Sequence, residues 1–133
     1  MRMTLSLILA ATLAAGAVAA KPALRDVAAV DDGLLAVGIA DEIRNKCDKI
    51  EARMITALLR LNELKATARS QGYSDDEIED YVTSKAEKAR MRQRGEAYLL
   101  ANGVTLGDKS SYCKLGKQEI AKGSAIGSLL KAR

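Results

Sequence analysis

From Leu35 to Ala68 the apolar side chains fall three or four residues apart: Leu35, Ile39, Ile43, Cys47, Ile50, Met54, Leu58, Leu61, Leu64 and Ala68. That spacing places them on one face of a helix, whereas a half-buried strand needs strict alternation. Composition points the same way. The chain has no Phe, no Trp, four Tyr and a single proline, Pro22, so a core must be assembled from aliphatic residues in a helix-favouring background. The expectation is an all-α fold with no sheet. Carried unbroken to Gln71, the first helix would measure about 57 Å. A compact chain of this size has a radius of gyration of only about 13 Å, so a break is expected. It is best placed between Asn45 and Lys49, where Asp48 and Glu51 form a weak capping pair.

Residues 1–20 open with Arg2, continue through Leu5, Leu7, Ile8, Leu9 and Leu13, and end in Ala17, Val18, Ala19 and Ala20. A basic start, a short apolar run and small residues at the end are what a signal peptidase reads, so a cleavable signal peptide is expected, cut after Ala19 or Ala20. An uncleaved anchor is the alternative, disfavoured by the shortness of the run. Cleavage implies a periplasmic or secreted location. Cys47 and Cys113 then meet an oxidising compartment, where two lone thiols in a small domain pair. A loop of about 65 residues closed this way would contribute roughly 4 kcal/mol. Buried free thiols and a redox site are the rival readings, and no Cys-x-x-Cys supports the second.

The mature chain reads as an extended arm over residues 21–30, where Pro22 interrupts any period, and a single helical domain over 31–133. Asp31 and Asp32 are expected to cap the first helix. Gly72 is expected to stop the second element. Ser74 and Glu77 form a capping box, flanked by Tyr73 and Ile78 as a hydrophobic staple. The helix they start is expected to run through Ile78, Tyr81, Val82, Ala86 and Ala89 to Leu100, closed by Asn102 and Gly103. A last helix, capped by Asp108 or Ser110, carries Cys113, Gly116, Ile120, Gly123, Gly127 and Leu130 on one face. Two readings of those glycines stay open. Either they admit a neighbouring helix at close range, or Gly123 stops the helix and Ser124 caps a new one. The sum is a small antiparallel bundle of three to four helices closed by one disulfide.

Charge excludes more than it suggests. The chain holds 21 basic and 17 acidic residues, with Arg2 in the leader, a balance too mild to name a polyanionic partner. Histidine is absent, which removes the commonest general base and metal ligand. Ser111 to Lys114 matches the Ser-x-x-Lys spacing of penicillin-recognising enzymes, yet the companion motifs are missing and the chain is too short for that fold. The acids Asp75, Asp76, Glu77, Glu79 and Asp80 lie on a capped helix start, where the dipole favours them, and lack the glycine turn of a calcium loop. Asp31 with Asp32 and Asp41 with Glu42 diverge on a helix and make no acid–base couple. No catalytic, cofactor or metal set emerges, and no small-molecule substrate is identified. What remains is a basic contact surface formed by Lys85, Lys88, Arg90, Arg92, Arg94, Lys114, Lys117 and Lys122. Its candidate partners are a periplasmic protein or an anionic envelope surface, and a solvated outer face is the plainer explanation. Nucleic acid is not expected, because no aromatic platform accompanies the charges.

The stretch Asp31-Asp32-Gly33-Leu34-Leu35-Ala36-Val37-Gly38-Ile39-Ala40-Asp41-Glu42-Ile43-Arg44 followed by Cys47, then Gly72-Tyr73-Ser74-Asp75-Asp76-Glu77-Ile78, Ser111-Tyr112-Cys113 and Ile120-Ala121-Lys122-Gly123-Ser124, resembles a family of small exported alphaproteobacterial proteins of unknown function. The similarity spans nearly the whole mature chain. It implies kinship of fold and an exported location, and it carries no activity and no site residues. A non-enzymatic periplasmic protein acting by contact with a protein or envelope partner is therefore the first functional expectation. A small helical stress chaperone is the second; lacking histidine, it would have to respond to acid through carboxylates, near pH 4 to 5 or below. An enzyme of unknown class is the third.

Overall fold

The computed structural model describes residues 21–133, so the signal peptide expected over residues 1–20 lies outside the described residues. Five α-helices occur among them: α1 (Ala28–Lys46), α2 (Met54–Ser70), α3 (Asp75–Thr83), α4 (Lys85–Ala101) and α5 (Lys109–Lys122). Two strands, β1 (Ile50–Ala52) and β2 (Leu130–Ala132), and two 3-10 turns, Leu24–Asp26 and Gly127–Leu129, are the other elements of the described residues. None of the described helices is long and apolar enough to cross a membrane.

α1 lies at the centre and packs on α2, α4 and α5. Its face Ala36, Ile39, Ala40 and Ile43 is buried with Cys47 and Ile50 against Leu99, Val104, Tyr112, Leu115 and the C-terminal Ile126, Leu129 and Leu130. The Cys47–Cys113 disulfide, with Cα atoms 5.2 Å apart, ties the end of α1 to the first turns of α5 inside this core. The helical, disulfide-closed fold expected from the sequence is thus observed.

The residues before Asp31 correct the expected extended arm. Leu24–Asp26 turns once, and α1 begins at Ala28. Leu24, Val27 and Val30 are buried with Ala68, Tyr73 and Ile78 in a second apolar cluster, and that burial overrides the interruption at Pro22. Asp31 and Asp32 consequently cap nothing. Val27 holds the N-cap position without a side-chain bond, and Asp31 lies within the first turn, buried.

The break after Lys46 falls where it was expected, but the chain does not re-enter a helix at once. β1 pairs antiparallel with β2 in the register Ile50↔Ala132, Glu51↔Lys131, Ala52↔Leu130. This ladder corrects the expectation of no sheet. Bonds from Arg53 N–H to the Leu129 carbonyl (2.8 Å) and from Arg133 N–H to the Lys49 carbonyl (2.9 Å) extend it at both ends. Three-residue strands are too short to show an alternation, and their pairing joins segments far apart in the sequence. Because an extended segment intervenes, α2 restarts with its own phase. Ala57, Leu61, Leu64 and Ala68 turn inward, while Met54 and Leu58, read in sequence as core, stand 55% and 58% exposed.

Gly72 (φ 92°) closes α2 in a Schellman turn, with Tyr73 N–H on the Ala68 carbonyl (3.2 Å) and Gly72 N–H on the Arg69 carbonyl (2.9 Å). The capping box comes directly after it: Ser74 Oγ accepts from Glu77 N–H at 3.1 Å, and Glu77 Oε1 accepts from Ser74 N–H at 3.2 Å. The single helix expected from here to Leu100 is two. Ser84 is extended and its Oγ accepts from Glu87 N–H (3.2 Å), so a second Ser-x-x-Glu start hides within an apparently continuous apolar period. At α5 Asp108 is the cap.

Both readings of the last glycines hold, each at a different residue. Gly123 (φ 61°) stops α5, and Ser124 Oγ accepts from Gly127 N–H at 2.9 Å to hold the next turn. Gly116 instead faces α1 and β1, where an added Cβ would stand 2.4 Å from Ile50 Cδ1 and 2.8 Å from Ile43 Cγ2. Those two isoleucines are fully buried and have nowhere to retreat. Gly116→Ala is therefore expected to destabilise the protein by about 2 kcal/mol despite alanine's better helix propensity, as read by chemical denaturation.

Candidate functional site

The basic residues proposed from sequence do not share a surface. Arg90 and Arg94 turn inward to Asp31, which is 3% exposed. Arg90 donates from Nη1 to Asp31 Oδ2 (3.1 Å) and from Nε to Glu87 Oε2 (2.8 Å); Arg94 Nη2 reaches Asp32 Oδ1 at 2.9 Å. The Tyr81 hydroxyl also donates to Asp31, and Arg25 clamps Glu87 from the N-terminal turn. Burial raises the Asp31 pKa, but the bonds from Arg90 and Tyr81 and the charges of Arg90 and Arg94 outweigh it, so the carboxyl stays below the usual aspartate range. Bonds from Arg25 and then Arg90 lower Glu87 as well. This network fastens α1 to α3 and α4. Its partners are saturated, which marks it as structural.

Lys85 and Lys122 are exposed at the start of α4 and the end of α5. Lys114 and Lys117 border a shallow cleft of about 430 Å³ beside Cys113, together with Lys49 and Lys109. Ser111 does not serve Lys114: its hydroxyl donates to the Asp108 carbonyl (2.7 Å) and accepts from Thr105 N–H (3.1 Å), bracing the loop before α5. Two of the five acids of α3 are occupied too, Asp75 by Arg69 at 2.6 Å and Glu77 by Lys21 at 2.9 Å. Among the described residues no group of three or more His, Cys, Asp or Glu could hold a metal.

A second buried carboxylate, Glu119, is 1% exposed and takes hydroxyl donors only, from Tyr98 at 2.6 Å and from Ser124. Burial and the Glu119 charge push the Tyr98 hydroxyl up to about 12, so it remains a donor at any physiological pH. The pair joins α4 to the end of α5, with Glu119 closed to solvent and Tyr98 half-buried.

Two surfaces remain open. The first is a groove of about 470 Å³ between α1 and α4, closed below by α5 and the loop before it. Leu35, Ile39, Met91, Leu99, Leu106 and Tyr112 give it apolar walls. Lys88 and Arg92 border it towards the start of α4, and Glu42 and Glu96 towards the end of α1. The second is the outer face of α2, where Met54, Ile55, Leu58 and Leu59 stand 55%, 77%, 58% and 58% exposed. Neither was visible in sequence. The groove needs α1 and α4 brought together, and the α2 face needs the helix phase after the break.

Fold and surfaces together define a small, disulfide-closed helical protein with open apolar surfaces and no assembled catalytic set among the described residues. The chain belongs to a family of unknown function, DUF5333, whose model matches residues 22–131. No curated protein and no solved structure matches it.

Proposed function

We propose that this chain is an exported, non-enzymatic protein that works by contact, and that the outer face of α2 is where it meets a partner protein. The observation that carries the reading is the cluster Met54, Ile55, Leu58 and Leu59, four large apolar side chains each more than half exposed on adjoining positions of one helix. Single exposed leucines are ordinary, but a contiguous patch of a few hundred Å² marks an interaction surface. Export is supported by the character of residues 1–20 and by the Cys47–Cys113 disulfide, which an oxidising compartment maintains.

A photo-crosslinker placed at Ile55 in producing cells tests this. A discrete protein adduct is expected, and Leu58→Lys should abolish it while changing stability by no more than about 0.5 kcal/mol, since Leu58 faces water in the free protein. An adduct pattern unchanged by Leu58→Lys overturns the reading. So does flotation of the protein with anionic phospholipid vesicles when no protein adduct forms, because the face would then serve a lipid surface.

A further inference from the structure

Among the described residues, the helix-interior glycines divide into two kinds. At Gly33 and Gly116 an added Cβ would press into Leu64 at 2.4 Å and Ile50 at 2.4 Å, so packing explains the missing side chain. At Gly38, in the middle of α1, a Cβ would meet nothing within 4 Å, and at Gly95, in α4, it would make ordinary contact with Ile39 at 3.7 Å. Each of these two weakens its helix by about 1 kcal/mol relative to alanine without a packing return. Both border the α1–α4 groove, and their effect is to keep its walls low.

A second observation lies on the floor. Tyr112 is 3% exposed and lines the groove, yet its hydroxyl has no hydrogen-bond partner among the described residues. No fully buried side-chain oxygen or nitrogen lacks a partner there, so this hydroxyl keeps its access to the groove. Glu42 and Glu96 line the groove with it, and burial, then the charges of these two carboxylates, raise its pKa and keep it protonated. Glu42 has only a long contact to Lys46, at 4.0 Å. Lys88, Arg92 and Glu96 make no ion pair among the described residues.

The groove is therefore polar at its ends and apolar between them. α1 and α4 rise together, since Asp31 meets Arg90 and Arg94 while Leu35 and Ile39 flank Gly95. Along α4, Lys88 consequently stands at one end and Glu96, with Glu42 and the Tyr112 hydroxyl, at the other, while Arg92 lies midway, one turn from each. From Lys88 to Glu96 the helix rises about 12 Å. An extended chain covers that distance in three to four residues.

We propose that this groove binds a short apolar peptide of three to four residues, its ammonium end received by Glu42, Glu96 and Tyr112 and its carboxylate end by Lys88, with Arg92 one turn further along the wall. A volume of about 470 Å³ suits such a ligand. A fatty acid would satisfy the cationic end and leave the two carboxylates facing a greasy chain. The site is separate from the α2 face, so each reading stands or fails alone.

Amide NMR of the oxidised protein titrated with trileucine reads the site directly. Saturable shifts are expected at Gly38, Gly95 and Leu106. N-acetyl-trileucine and trileucine amide should each bind at least tenfold more weakly, and Tyr112→Phe about fivefold more weakly with an unchanged thermal midpoint. Gly38→Leu should fill the groove and abolish the shifts. If that variant misfolds, the pair Glu42→Gln and Glu96→Gln replaces it and should erase the penalty of N-acetylation. No saturable shift at millimolar trileucine overturns the proposal. Equal binding of the acetylated peptide, or of decanoate, overturns it as well.

Discussion

Replacing Cys47 and Cys113 together with alanine is expected to lower the thermal midpoint by about 15 °C, as measured by calorimetry against the oxidised protein. The bond joins residues 66 apart in sequence. Closing a loop of that length removes denatured-state entropy worth about 4 kcal/mol. For a domain of this size each kcal/mol shifts the midpoint by about 4 °C. The native state adds to the effect. Cys47 is fully buried among Ile43, Ile50 and Leu115, so truncation leaves a void in the part of the core where α1, β1 and α5 meet. Apart from that apolar packing, few interactions hold the junction. The β1–β2 ladder is three residues long, and its ion pairs, Glu51 with Lys131 at 3.1 Å and with Arg133 at 3.5 Å, are solvent-exposed and contribute little. A drop of less than about 3 °C would mean that the denatured chain already holds these segments together without the crosslink.

The parts of this fold that were legible in the sequence are those encoded within one helical turn or two. Gly72 with Ser74 and Glu77, the Asn102–Gly103 stop and one of the two caps offered for α5, Asp108, appear as read, because each depends on neighbours a few residues away. The break after Lys46 falls where it was expected but without the Asp48–Glu51 cap, since Arg53 precedes α2 with no side-chain bond. The disulfide was legible from chemistry, since two cysteines in a small domain read as exported have only each other. What the sequence concealed was non-local or phase-dependent. Ser84 and Glu87 repeat the capping spelling of Ser74 and Glu77, but Val82, Ala86 and Ala89 carry the apolar period across them and mask the boundary. Met54 and Leu58 continue the α1 stripe on paper, yet the strand between the helices discards its register, and the same residues become the proposed contact face. For the groove, Lys88 and Arg92 were legible as exposed bases. Their relation to Glu42 and Tyr112 was not, because it exists only once α1, α4 and α5 are packed. Arg90 and Arg94 gave a readable hint: two arginines four residues apart share one helix face and can converge on a single acid.

That acid yields the other large effect. Asp31→Asn removes the charge that both guanidiniums face and preserves the volume, so the loss it causes is electrostatic rather than steric. Breaking a buried ion pair by deleting one partner destabilises by about 3–5 kcal/mol, because the remaining charges are left uncompensated. Here the Arg90 and Arg94 side chains are 25% and 35% exposed, and water relieves part of the penalty. About 3 kcal/mol is therefore expected, a fall of roughly 12 °C in the midpoint. The pH dependence separates charge from packing. Asp31 titrates below its unfolded value in the folded protein, so the unfolded chain takes up the proton first as pH falls. The stability it contributes is complete above about pH 5 and fades as pH drops through the unfolded value near 4 towards the folded one. The gap between wild type and Asp31→Asn should accordingly be constant from pH 5 to 8 and shrink below pH 4. A gap that persists undiminished at pH 2 to 3 would assign the cost to packing. The same sign bears on an acid-triggered chaperone role. Activation between pH 4 and 5 would have to proceed with this clamp still largely ionised, so release of α1 from α4 belongs to more acidic conditions, where Asp31 and Glu87 take up protons.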